Sequence, residues 1–226
     1  MDYIKNLFLS RFKTIALISI AMVLSIFLLM IRMKLKHSFH FLFLVWNLFL
    51  AVIPFAITNY LLSSPKLNKI RFAVWFGVWL LFLPNAPYII TDLIHLTVSY
   101  GSYVWLDILV VSSFAMSGLL LFYLSFLDMK NILKPHLKNH FNKYFFILII
   151  YLSSFGVFLG RFLRYNSWEI LSNPKYLFID ILNIITRPLA YKEAWLFTII
   201  FGLFLHAGLW IFNQFSFSAN LKPDSE

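Results

Sequence analysis

Long apolar blocks alternate with short polar connections along the chain, and this pattern predicts membrane-spanning helices. A helix rises about 1.5 Å per residue, so about 20 apolar residues cross the roughly 30 Å hydrocarbon core of a bilayer. We therefore predict an all-α fold, a polytopic transmembrane helical bundle of about six spans, in which residues 1–226 form a single transmembrane domain. The predicted spans are approximately residues 14–31, 39–62, 70–96, 106–127, 144–163 and 195–212.

The third block differs from the others because Pro84 and Pro87 interrupt it. The apolar run before Pro84 is too short to cross a bilayer alone, so the third helix is predicted to break at 84–87, inside the membrane or at its edge. Irregular backbone at that depth is tolerated only where protein or a wet cavity covers its unpaired N–H and C=O groups. Asn85 lies between the two prolines and is expected to bond such groups.

Polar residues follow the break at helical spacing, namely Tyr88, Asp92, His95 and Ser99. Positions i, i+4, i+7 and i+11 lie along one face of an α-helix. Asp92 and His95 are close enough on a helix to share a hydrogen bond or a metal ion, and ionisable groups at membrane depth are costly, so both are candidate catalytic residues. The alternative is that Asp92 caps or pairs with an arginine while His95 lies in the headgroup layer.

A second concentration of polar residues follows the fifth span, at residues 161–169. Arg161 and Arg164 lie one helical turn apart, and their guanidinium groups suit bidentate binding of the phosphate of a lipid headgroup. The alternatives are snorkelling at a helix end or pairing with an acidic residue. Asn166 and Glu169 also have the spacing of a helix-start cap. The further candidate binding residues are Asn85, Tyr88, Asp107, Asn166, Trp168 and Glu169.

Two shorter signals concern helix packing and the membrane surface. Ser113, Ser117 and Gly118 form a strip of small residues in the fourth span, and such strips allow helices to approach closely. Residues 175–186 are apolar but too short to cross a bilayer, which predicts a short interfacial helix.

Composition supports the membrane class and limits the chemistry. Hydrophobic residues make up 61% of the chain and charged residues 12%, whereas soluble domains have about 25% charged residues. The absence of cysteine excludes disulfides and thiolate chemistry. The net charge of +10 comes from Lys and Arg at the ends of apolar blocks, so we expect the lipid bilayer, and an anionic or phosphorylated lipid, rather than nucleic acid as partner. No spacing marks a third metal ligand, so the metal and any cofactor stay unknown.

The connection at residues 97–105 contains no Lys or Arg, and this decides the predicted orientation. By the positive-inside rule this loop lies outside and both termini lie in the cytoplasm. The broken helix, Asp107 and residues 161–169 are then all predicted at the outer face, where they can line one pocket.

The stretch LFLPNAPYIITDLIH at residues 81–95, followed by Asp107 and by GRFLRYNSW at residues 160–168, resembles a bacterial integral-membrane family, domain of unknown function 1361. The resemblance spans about Trp46 to Phe212. It implies a multi-pass protein of the bacterial cytoplasmic (inner) membrane. It implies no activity and therefore no catalytic residues.

The residues leave three functions open. The first is a structural or accessory membrane protein whose buried Asp–Arg pairs hold the bundle together. The second is an enzyme or binding protein at the outer leaflet for a phosphorylated lipid-type substrate, with Asp92 and His95 as acid–base or metal groups and Arg161 and Arg164 on the phosphate. The third is a small-solute transporter built around the broken helix.

Overall fold

A computed structural model gives the fold and describes residues 11–64, 67–98, 102–136, 139–167, 169–172 and 174–220. All regular structure in these ranges is helical. Six helical segments are long and apolar enough to cross a membrane, so the prediction of an all-α bundle of about six spans is confirmed. The chain divides into two compact units, Met1–His136 and Leu137–Glu226.

The first unit contains four of the candidate spans, and the third of them is interrupted as predicted. This span starts as an α-helix, turns at residues 83–84, continues as a single helical turn and ends as a 3₁₀ helix. The segments are α1 (Phe12–Lys36), α2 (Phe43–Ser63), α3 (Lys69–Phe82), α4 (Asn85–Tyr88), the 3₁₀ helix Ile89–Val98, α5 (Val104–Leu133) and a 3₁₀ turn at Lys134–His136.

Helix α5 forms the core of the first unit, since it packs against α1, α2, α4 and the 3₁₀ helix. Large side chains such as Phe114, Phe122 and Phe126 are fully buried along it. Gly118 lies where α4 approaches, and a Cβ at this position would overlap the carbonyl oxygen of Ala86. Gly118, one residue of the predicted small-residue strip, is therefore the place where the broken helix meets α5.

The proline break is covered by protein. Leu83, Ala86 and Ile89 have no exposed surface. The side-chain amide of Asn85 donates to the carbonyl of Phe82 at 3.0 Å, as predicted, and the N–H of Tyr88 donates to the carbonyl of Pro84 at 3.0 Å. Backbone groups next to the break are thus paired within the protein, which satisfies the condition for irregular backbone at membrane depth.

The segment after the break is a 3₁₀ helix rather than the predicted α-helix. The hydroxyls of Thr91 and Thr97 donate to the carbonyls of Tyr88 and Ile94, three residues back, at 2.6 and 2.7 Å. Such side-chain bonds compete with the α-helical ladder, and β-branched residues lose rotamer freedom in it. With three residues per turn, the fourth residue after Tyr88 no longer stacks above it, whereas residues three apart still share a face. Ser99 lies outside the described residues.

Polar contacts join α1 to α5 at three levels. Near the middle, the buried hydroxyls of Ser25 and Ser117 lie 3.2 Å apart. At one end of the unit, which we call the Asp128 end, the start of α1 lies beside the last turns of α5. At the other end, the Asp107 end, the last turns of α1 lie beside the start of α5. The two helices are therefore antiparallel, as the first and fourth membrane crossings of a chain must be.

The second unit contains the last two candidate spans and two short helices. Ile184 packs with Phe158 and Ala194, so three different helices share one apolar cluster. Trp195 also donates its indole N–H to the carbonyl of Ile184 at 3.1 Å. The short helix predicted at residues 175–186 is thus present and held by its neighbours. The helices are α6 (Asn139–Arg161), α7 (Glu169–Ser172), α8 (Pro174–Thr186) and α9 (Lys192–Asn220).

Candidate functional site

The 3₁₀ helix places the carboxylate of Asp92 inside the first unit, where its side chain is only 1% exposed. The amide Nδ2 of Asn47, on α2, donates to Asp92 Oδ2 at 2.8 Å. The other oxygen, Oδ1, lies 3.9 Å from Nε2 of His95. Because Asp92 and His95 are one 3₁₀ turn apart, the structure brings them together as the spacing predicted. The distance between them is within reach of an ion pair but too long for a hydrogen bond.

His95 lies at the boundary of the unit, with 34% of its side chain exposed. The ring of Phe43 contacts it at a centroid distance of 5.0 Å, and the ring of His40 lies 6.3 Å away. His40 is itself exposed, on the turn between α1 and α2. The site therefore consists of a buried carboxylate, an imidazole that can be reached from outside, and a second imidazole beside it.

Asp107, another candidate residue of the first unit, is held in a buried ion-pair cluster. Arg32 Nε donates to Asp107 Oδ1 at 2.9 Å, and Lys36 Nζ donates to Oδ2. The side chains of Arg32 and Asp107 are 5% and 1% exposed. A buried carboxylate that already faces two cations is suited to holding helices together.

The Asp128 end contains a second cluster of this kind, which the sequence analysis did not identify. The Arg11 guanidinium contacts both carboxylate oxygens of Asp128, at 2.8 and 2.9 Å, and also donates to Asn59 Oδ1 at 3.0 Å. The hydroxyl of Thr58 lies 3.4 Å from Asp128 Oδ2. Bidentate Arg–carboxylate geometry of this type fixes both orientation and distance.

In the second unit, the two candidate arginines lie at the end of α6. Arg161 is the last residue of this helix, and Arg164 follows in the left-handed region with φ of 61°. The N–H of Tyr165 donates to the carbonyl of Leu159, six residues earlier, at 3.1 Å, which closes the end of the helix. Within the described residues, no side chain contacts the exposed guanidinium of Arg164 by a hydrogen bond or ion pair.

Tyr165 is fixed by a hydrogen bond to α8. Its hydroxyl donates to Asp180 Oδ2 at 2.7 Å. This hydrogen bond raises the pKa of Tyr165 from 10.0 to about 12, because the carboxylate favours the neutral phenol. The contact joins the segment after α6 to α8 within the second unit.

Asn166 and Glu169 contact each other locally. Asn166 donates its backbone N–H and its side-chain amide to Glu169 Oε1, at 3.2 and 2.8 Å. The N–H of Glu169 in turn donates to the carbonyl of Asn166 at 2.9 Å. This is the helix-start cap that the spacing also predicted, and it precedes α7. Trp168 lies outside the described residues.

Among the residues that the structure describes, no three His, Asp or Glu side chains converge to hold a metal ion. Residues 46–207 match the model of a protein family described as Protein of unknown function (DUF1361). The chain belongs to this family. No curated protein and no solved structure matches it. The resemblance inferred from the two sequence motifs is thus confirmed.

The DUF1361 region contains most of the site but not all of it. Asn47, Asp92, His95 and Asp107 lie inside the matched residues, whereas α1 and the turn that carries His40 precede them. The predicted site residues fall in both compact units of the chain. Asn47 and His40 reach the site from distant positions in the chain, and no local spacing marks them.

Proposed function

We propose that this membrane protein works in the bacterial inner membrane, and that Asp92 and His95 transfer protons in a reaction on a phosphorylated lipid-type substrate at the outer face. The observation that supports this most directly is the burial difference between the two side chains, 1% exposed for Asp92 against 34% for His95. A buried carboxylate that orients an accessible imidazole is the usual arrangement for general acid–base catalysis.

The proposal gives a role to each ring nitrogen of His95. Nε2 faces the carboxylate, and Nδ1 is proposed to exchange a proton with the substrate. The charge of Asp92 then stabilises the imidazolium, and Asn47 holds the second carboxylate oxygen in place. Catalytic hydrogen bonds are often long in structures without substrate, and a small closing movement brings the two groups within bonding distance.

Exposed basic residues on α1 and on the turn that follows it support an anionic substrate. Lys34 and His37 lie exposed at the end of α1, and His40 follows on the turn beside His95. A surface with this charge raises the local concentration of phosphate-bearing lipids. In the second unit, we propose the exposed guanidinium of Arg164, with Arg161, as groups for the same class of anion.

A structural role is the second candidate, and the two buried ion-pair clusters favour it for other residues. Asp107 and Asp128 both face cations from α1 or from the residue before it. Their contacts explain how the helices stay together, as the sequence analysis expected of Asp–Arg pairs. Asp92 differs from these two residues in that its contacts include an amide, that of Asn47, and an imidazole, that of His95.

The test compares Asp92→Asn and His95→Gln with the parent chain in a bacterium whose own copy is deleted. Both variants are expected to reach the membrane in parental amounts and to lose the envelope function, since acid–base groups contribute about 10²–10⁴-fold to rates. Abundance is measured by immunoblot of membranes, and function by complementation of the deletion. Ser102→Ala, an exposed residue of the loop after the 3₁₀ helix, serves as control. Full complementation by both variants, or loss of both proteins from the membrane, contradicts the proposal.

The proposed outer location has its own test, which uses the absence of native cysteine. Ser102, just before α5, and Asn131, in its last turn, are both exposed and mark opposite ends of this helix. We expect a membrane-impermeant thiol reagent to label Ser102→Cys on intact cells and to label Asn131→Cys only after lysis. The reverse pattern places Asp92 and His95 at the cytoplasmic face and contradicts an outer-leaflet site.

A further inference from the structure

The turn between α1 and α2 is fixed by the guanidinium of Arg32. Arg32 Nη1 donates to the carbonyl of Ser38 at 2.7 Å, and the guanidinium carbon lies 4.7 Å from the ring centroid of Phe41. Phe41 has no exposed surface, and the hydroxyl of Ser38 accepts the backbone N–H of His40 at 3.3 Å. One guanidinium therefore contacts the chain on both sides of His40.

Asp107 fixes that guanidinium in turn. Its Oδ1 accepts a hydrogen bond from Arg32 Nε, while Lys36 contacts Oδ2. Asp107 belongs to α5, and α5 also packs against the 3₁₀ helix that carries His95. Helix α5 thus fixes the positions of both imidazoles. It holds His40 through Arg32, and it holds His95 by packing against the 3₁₀ helix.

The rings of His40 and His95 lie 6.3 Å apart between centroids and meet at 81°. Resting on the function proposed above, we infer that His40 is the second acid–base group of the site and that Arg32 is the residue that positions it. Asn47 and Asp92 complete the polar surroundings of His95.

The two histidines then divide the proton transfers of a phosphoryl transfer. The oxygen of water or of an alcohol forms a bond to phosphorus, and its proton moves to His95. The bond from phosphorus to the leaving oxygen breaks, and that oxygen takes a proton from protonated His40. One imidazole gains a proton and the other loses one, so charge and atoms balance.

Arg32→Lys separates the positioning role from the ion pair. A lysine keeps a positive charge next to Asp107. Its single ammonium group, unlike the planar guanidinium, cannot at the same time bond the carbonyl of Ser38 and stack on Phe41. The matched control is Arg11→Lys at the Asp128 end. Arg11, the residue before α1, also pairs with an aspartate of α5, at the other end of the unit and through two nitrogens.

The experiment places cysteines at both histidine positions, His40→Cys and His95→Cys, in the full chain, which has no cysteine of its own. The rate of crosslinking by a short bifunctional thiol reagent in membranes reports how well the two positions are held together. We expect rapid crosslinking with Arg32 or with Arg11→Lys, and severalfold slower crosslinking with Arg32→Lys. No crosslinking in the parent pair, an unchanged rate in Arg32→Lys, or equal slowing in both lysine variants would overturn the inference.

A second readout separates this inference from the proposed function. His40→Gln is made in the otherwise native chain and compared with His95→Gln for complementation at equal membrane abundance. Loss of function in both supports a two-histidine site. Loss in His95→Gln alone removes His40 from the site and leaves the proposed function standing. Full function of His95→Gln contradicts the proposed function itself, whatever the crosslinking rates show.

Discussion

Asp107→Asn is expected to cost about 3–5 kcal/mol of stability, the usual loss when one partner of a buried ion pair is removed. Arg32 would keep its charge in a position where its side chain is only 5% exposed. Lys36 is affected less, because its side chain is more exposed and can extend toward the headgroup layer. The measurement is the thermal unfolding temperature of the purified protein in detergent, together with its abundance in membranes.

Two further variants show whether the loss arises from an uncompensated charge. Glu193→Gln removes an exposed acid from the first turn of α9 and is expected to change the unfolding temperature little. Asp107→Leu combined with Arg32→Met removes both charges of the pair and is expected to recover much of the lost stability, because apolar replacements of a buried pair are often neutral. If Asp107→Asn unfolds at the parental temperature, the cluster does not hold the unit together.

Much of the fold follows from local sequence. Each long apolar block became a helix long enough to cross a membrane, because a span must satisfy its backbone hydrogen bonds internally. Pro84 and Pro87 marked the break for the same reason, and Asn85 bonds the backbone beside it. The change to a 3₁₀ helix after the break was not predicted, since it depends on the hydroxyls of Thr91 and Thr97.

The candidate site was predicted only where its contacts are local. Asp92 and His95 are three residues apart, and residues at this spacing share a face in both an α-helix and a 3₁₀ helix. Asn47 reaches Asp92 across 45 residues, and Arg32 reaches Asp107 across 75. Contacts of this range depend on which helices become neighbours, and a single sequence with helical periodicity alone does not contain that information. For the same reason, the sequence did not indicate the contacts of Arg11 with Asp128 or of His40 with His95.

Gly118→Ala is the second change with a large expected effect. A Cβ at position 118 would overlap the carbonyl oxygen of Ala86 and would lie 3.1 Å from Cδ1 of Ile89. The first of these is a backbone atom next to the proline break and cannot rotate away, so α4 must move from α5. Overpacking of a close contact costs about 1–3 kcal/mol, occasionally more. We expect a lower unfolding temperature in detergent and reduced membrane abundance.

Gly77→Ala is the matched control, because Gly77 lies on the same interrupted span and a Cβ there would meet nothing within 4 Å. Alanine is favoured over glycine in a helix interior by about 1 kcal/mol, so this variant is expected to be at least as stable as the parent. Opposite signs for the two substitutions identify the contact with Ala86, rather than the glycine itself, as the cause. If Gly118→Ala is also stabilising, α4 does not approach α5 as closely as described. Since the 3₁₀ helix continues directly from α4, the position of Asp92 and His95 would then depend on other contacts.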